Sequence, residues 1–337
     1  NDLVRGSVRT GLLVMPVGSA KFGLFAAAGA GGGGGAGYFC GGFVTATRVT
    51  TVDKFAFSDD SRSTLGTGLS DDTKSGAAMA NSGTAGYVAI GDDSSTPYVD
   101  TVDKFAFDDD SRSTLGTGLS TGRALAAGMA NSGTAGYICG GQNFTAPSTY
   151  AWGQTVDKFA FSDDSRSTLG TGVSTARQSA GPSAMANSGT AGYYGGGYLG
   201  SRVTTIDKWA FSDDSRTTLA TGLSAGVDNL AAMANSGTAG YFGGGDNGGT
   251  KVTTVDKFAF SDDSRSTLGT GLSAATSHLA AMANSGTAGY FGGGYVISTL
   301  QTTVNKFAFS DDSRSTLGTG LSAATVSLSA MADGNIA

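Results

Sequence analysis

One six-residue motif recurs six times along the chain, and that recurrence constrains the fold more than any other feature. The motif, Val/Ile-Asp/Asn-Lys-Phe/Trp-Ala-Phe, begins at Val52, Val102, Val156, Ile206, Val255 and Val304, at spacings of 50, 54, 50, 49 and 49 residues. A second motif, Ser-Gly-Thr-Ala-Gly-Tyr, begins at Ser82, Ser132, Ser188, Ser236 and Ser285. A period near 50 residues exceeds that of helical repeat arrays and suits one small antiparallel sheet per unit.

Residues 279–322 show the unit most clearly, and their pattern predicts four strands. Strand a is Leu279–Asn284 and strand b is Gly289–Gly293, separated by a Ser-Gly-Thr-Ala turn. Strand c, Thr302–Phe309, sets Phe307 and Phe309 on one face at the strand period of two. Strand d, Thr316–Leu321, follows the turn Ser310-Asp311-Asp312-Ser313. Asp, Ser and Gly suit such turns because they bond to their own backbone or adopt positive φ. No segment sustains a 3.6-residue period, and the abundance of Gly and β-branched residues disfavours helix. The chain reads as all-β.

The ends of the chain hold complementary fragments of one unit. Ser327–Asn335 copies strand a and then stops, whereas Gly37–Gly42 copies strand b with no clean strand a before it. One unit is therefore split, its inner strand coming from the C-terminus and the other three from the N-terminus. Such pairing removes two open sheet edges. Phe22–Ala28 is a competing source of that strand, but the sequence match favours the C-terminus.

Composition narrows the class of partner. Charged residues make up 14% of the chain, yet 18 Phe and 11 Tyr are present, so the 56 glycines belong to a packed, turn-rich fold rather than a disordered one. Net charge is −6 with no Lys/Arg cluster, and nucleic-acid backbones require a positive stripe, so no nucleic-acid partner is expected. No run of 18 apolar residues is present, so no membrane insertion is expected. Leu12–Val17 is a weak signal-peptide candidate that lacks an Ala-x-Ala site.

The residues that could carry chemistry are few. Cys40 and Cys139 stand at the same position of two non-adjacent units, too far apart for a disulfide, and are expected to be buried free thiols. His278 is the one histidine; without partners it reads as a solvated loop residue rather than a ligand or base. The Gly-x-Ser-x-Gly matches at 118–122 and 222–226 lack the strand-turn-helix context of a nucleophile elbow. The glycine run at 29–37 lacks the Lys-Ser/Thr of a phosphate-binding loop. The Asp pairs in the Ser-Asp-Asp-Ser-Arg turns point apart, and each is expected to be neutralised by the Arg two residues on, such as Arg314, rather than to hold a metal. No cofactor, metal or catalytic residue is expected.

The order of Gly289–Gly294 (GYFGGG), Thr303–Phe309 (TVNKFAF) and Ser315–Ser322 (STLGTGLS) resembles the kelch repeat, over residues 37–335. The wording of the unit resembles kelch-like proteins of marine phages and bacteria. Two features depart from the pattern. Leu65, Leu115, Leu169, Leu219, Leu268 and Leu317 stand where kelch blades usually have Trp, and Tyr87–Asp93 lacks the paired glycines. The resemblance implies a kelch-like β-propeller of four antiparallel strands per blade, which six repeats make six-bladed over 37–337; the N-terminal extension, 1–36, is a candidate docking segment because the residues before Gly29 lie outside the repeat. The resemblance also implies a non-enzymatic structural or interaction module, a surface or virion component. A lectin-like propeller is the alternative. A copper oxidase of the kelch type is disfavoured, because one histidine cannot supply its ligands.

Comparison among the units points to a binding face. The a–b and c–d turns are nearly identical in every unit, whereas the b–c segments (43–49, 92–100, 142–154, 198–203, 246–251, 295–301) and the d–a segments differ in each. Strand direction alternates, so the variable segments emerge together on one face. They carry Phe43, Tyr98, Phe144, Tyr150, Trp152, Tyr198 and Tyr295, the candidate contacts for a protein partner or a glycan. The longest segment, 142–154, holds three of them.

Overall fold

The computed structural model describes residues 35–333, apart from 95–97, 146–148, 179–180 and 182. Residues 1–34, which hold most of the N-terminal extension and of its glycine run and all of Phe22–Ala28, lie outside the described residues. Among the described residues there is no helix. Six four-stranded antiparallel sheets repeat one design, each ordered a-b-c-d. Sheet I joins the two ends of the chain: strand a is Ser329–Ala332, b is Ala36–Cys40, c is Val52–Ala56 and d is Arg62–Thr64. Within it Tyr38 lies opposite Met331 on one side and Lys54 on the other. Sheets II to VI follow in chain order, with inner strands beginning at Ala77, Ala127, Ala184, Ala231 and Ala280.

Strand d begins earlier than its sequence suggests. In sheet VI it is Arg314–Thr316, not Thr316–Leu321. Asp312 takes φ 57° and its N–H closes onto Ala308 O, so the turn is tight and pairing resumes at once, Arg314 opposite Phe307. The residues after Thr316 stay alongside strand c, with the Leu317 and Leu321 N–H groups donating to Val304 O and Thr302 O, and Leu321 is buried.

Neighbouring sheets are held by the same contacts at each interface. A side chain on Gly37, Gly86, Gly136, Gly192, Gly240 or Gly289 of strand b would collide with the thioether of a Met from an adjacent sheet, Met282, Met331, Met79, Met129, Met185 and Met233 respectively. Only glycine admits the sulfur at those positions. The six apolar clusters of the core each combine residues of two neighbouring sheets. The core is therefore spread over the interfaces rather than gathered at one centre.

Candidate functional site

Two ends of the sheets offer surfaces, and the turn end accounts for its own uniformity. The second Asp of each turn accepts from a Tyr hydroxyl and a Lys ammonium of another sheet. Tyr38 and Lys54 reach Asp110, at 2.9 and 2.7 Å. Tyr87 and Lys104 reach Asp164, both at 2.7 Å. Tyr137 and Lys158 hold Asp214, Tyr193 and Lys208 hold Asp263, and Tyr241 and Lys257 hold Asp312. Tyr290 and Lys306 hold Asp60, at 2.9 and 2.7 Å. Each Tyr ring also stacks on a Phe of the sheet that supplies its Asp, for example Tyr38 on Phe107 at 5.4 Å. Burial first, and then the bond to Asp110, push the Tyr38 phenol well above its ordinary range.

This corrects the expected neutralisation of each Asp pair by its own Arg. Arg62, Arg112, Arg166, Arg216 and Arg265 turn instead to the strand c Asp of their own sheet, at 3.3–3.7 Å. The first Asp of each turn is fully exposed. Bonds from the Ser two residues on hold the carboxyls of Asp59, Asp109, Asp163, Asp213, Asp262 and Asp311 below their ordinary range. Among the described residues no three His, Cys, Asp or Glu side chains gather where they could hold one ion.

The loop end is built differently in each sheet. The 142–154 segment is a hairpin, Gln142–Thr145 against Thr149–Trp152, with Arg123–Ala124 added as a third strand. Arg123 anchors that strand from inside, its guanidinium 3.0 Å from Asp157 with both side chains fully buried. Burial alone would raise the Asp157 carboxyl, but Arg123, Ser120 and Thr168 outweigh it and hold it below the ordinary carboxylate range. Arg177 and Asp207 repeat this pair, 3.1 Å apart.

Five of the seven candidate residues meet on this hairpin. Phe144 lies opposite Tyr150 and Gln142 opposite Trp152, so alternation sets all four on one side. Tyr150 packs at 5.3 Å from Phe144 and 5.9 Å from Tyr98, whose hydroxyl donates to Gln142 Oε1 at 2.5 Å. Burial, with Asp92 and Tyr150 nearby, pushes the Tyr98 phenol up to about 12. Trp152 meets Tyr198 edge to face at 5.8 Å, and the Arg202 guanidinium stands 5.5 Å from the Tyr198 ring. Tyr150 remains 57% exposed and Trp152 37%, which marks this row as a surface rather than a core.

Phe43 and Tyr295 stand apart from that row. They line a cavity of about 700 Å³ together with Lys74, His278 and Val326. The sequence reading missed this cavity and took His278 for a solvated residue. His278 is in fact half-buried at φ 57°, and burial lowers its imidazole to about 4, so it is neutral at ordinary pH. Cys40 and Cys139 are buried free thiols, both raised by burial.

No family model matches the chain. No curated protein matches it either. A solved structure, titled "Structure of YjhT", superimposes with a TM-score of 0.60 at 14% identity, covering 83% of this chain and 97% of that one. The fold is propeller-like. At that identity the likeness speaks for architecture alone. Matching chains of solved structures number 378, so the fold is shared too widely to name a partner.

Proposed function

We propose that the six sheets are blades of a closed, six-bladed, kelch-like β-propeller. The pairing of Ser329–Ala332 with Ala36–Cys40 and the contacts of Tyr290 and Lys306 with Asp60 support closure. The ring is a non-enzymatic interaction module of a larger surface or virion assembly, and it binds a protein partner through its loop end. The observation that carries this reading is the row Tyr98, Tyr150, Phe144, Trp152 and Tyr198, packed edge to face or tilted and partly exposed around a b–c hairpin that, among the described residues, is the one extended by a third strand. Aromatic anchors of limited conformational freedom supply much of the energy of known interfaces.

Crosslinking mass spectrometry of the protein within its native assembly tests the proposal. Crosslinks from 142–154 and its flanking loops to another protein support it. Crosslinks confined to the Ser-Asp-Asp-Ser turns or to residues 1–36 make the ring a spacer. Replacing Phe144, Tyr150 and Trp152 by Ala is expected to weaken partner binding by roughly 1–2 kcal/mol or more per anchor. Exposed aromatics also suit a sugar, and glycan-array binding lost in Trp152→Ala would replace the protein partner with a carbohydrate.

A further inference from the structure

The cavity lined by Phe43 and Tyr295 shares no residue with the aromatic row and has its own chemistry. Two hairpins flank it, Phe43–Val44 against Thr47–Arg48 and Tyr295–Val296 against Thr299–Leu300. Each turns through a β-branched residue at positive φ, Thr45 at 53° and Ile297 at 52°. β-branched side chains rarely adopt that conformation, and strain of this kind collects at binding sites. The wall is mostly apolar, with Phe43, Tyr295, Leu300 and Val326, and hydroxyls from Thr45 and Ser327 punctuate it. Its volume falls within the usual range for small-molecule sites.

The charge within the cavity is one-sided. Among the described residues Lys74 is the single charged residue of the lining, and no carboxylate lines the cavity. Its nearest acid, Asp92, is already gripped by Arg48 Nη2 through both oxygens at 3.0 Å, while Lys74 Nζ stands 3.5 Å away and 5.5 Å from the Phe43 ring centroid. An ammonium carries three donors, so Lys74 retains capacity for a further acceptor.

We propose that this cavity is a binding site for a small organic anion with an apolar body. The body packs against Phe43 and Tyr295, and the anionic group meets Lys74. The site is independent of the 142–154 row, and either can fail without the other.

Fluorescence titration with 8-anilinonaphthalene-1-sulfonate, an aromatic body bearing a sulfonate, tests the assignment. N-phenyl-1-naphthylamine, a matched body without the charge, is the comparison probe. The full chain is expected to bind the sulfonate at one saturable site. Lys74→Met should weaken it at least tenfold at low salt while leaving the neutral probe within twofold, and Phe43→Ala should weaken both. Lys74→Arg keeps the charge and should retain binding, which separates loss of charge from loss of fold. Trp152→Ala should bind both probes as the parent does. The proposal is overturned if the folded parent does not bind the sulfonate, if Lys74→Met binds it unchanged, or if Trp152→Ala abolishes binding.

Discussion

At the turn end, Asp60, Asp110, Asp164, Asp214, Asp263 and Asp312 all accept the same two bonds from another sheet. At the loop end, by contrast, one b–c segment forms a hairpin with a third strand, two form two-residue hairpins, and others make single bridges at Tyr198 and Asp246. The contrast teaches where sameness comes from. Each Asp must match a Tyr and a Lys contributed by a different unit, so drift in one unit strands the polar groups of the next. The turn end is uniform because the interfaces require it, and no external partner need be invoked. The loop segments carry no such tie, and their individuality is free to serve recognition.

The largest expected effect is at the join between the ends of the chain. Deleting residues 329–337 removes strand a of sheet I and withdraws Met331 from Gly86. The truncated protein should aggregate or melt roughly 10 °C or more below the parent in a calorimetric scan. An unchanged transition would mean that the C-terminal strand does not complete sheet I.

Glycines at the interfaces and at the rim should part company. Gly136→Ala thrusts a methyl at Met79 Sδ, and the loss should be about 2 kcal/mol by denaturant unfolding. Gly116→Ala meets nothing within 4 Å at ordinary φ, so it should be neutral or gain about 0.5 kcal/mol. Equal losses at both positions would contradict the packing described.

The Asp contacts should be interchangeable. Asp164→Ala and Asp60→Ala each leave a Tyr hydroxyl and a Lys ammonium without their acceptor, at about 1–2 kcal/mol apiece. The two values should agree within about 0.5 kcal/mol, because the second spans the ends of the chain yet has the same geometry. A much smaller loss for Asp60→Ala would single out the interface between sheets VI and I as weaker.

The smallest effect concerns acid. The His278 imidazole is lowered to about 4 in the folded chain against an ordinary value near 6.5, so between those pH values the unfolded chain binds the extra proton. Stability therefore falls as pH drops through that window, by about 1–2 kcal/mol after allowance for partial exposure. His278→Asn, which tolerates positive φ, should lose that part of the dependence in melts at pH 7 and pH 5.

Much of the fold was legible because local chemistry carries it. The Ser-Gly-Thr-Ala turn and the alternation around Phe307 and Phe309 marked strands a to c within two or three residues. Strand d escaped because its start depends on Asp312 adopting positive φ, and the sequence Asp-Asp-Ser does not reveal which Asp does so. The bonds to Asp60 and its counterparts escaped for a different reason, since their partners lie in other units. The constancy of Lys54, Asp60 and their equivalents in every unit was the available signal. Aromatics on variable loops marked Tyr150 and Trp152, but the cavity needs 43, 74, 278, 295 and 326 brought together, and only folding does that.

Six equivalent sheets build the molecule, one of them assembled from both ends of the chain. Native-state hydrogen exchange of the six strand b segments, Ala36–Cys40 against Ala85–Ala89, Ala135–Cys139, Ala191–Gly195, Ala239–Gly243 and Ala288–Gly292, tests this most directly. Strands paired on both sides open only with the global unfolding transition, so all six should show the same protection within about tenfold. Exchange in Ala36–Cys40 a hundredfold faster than in the other five would contradict the account.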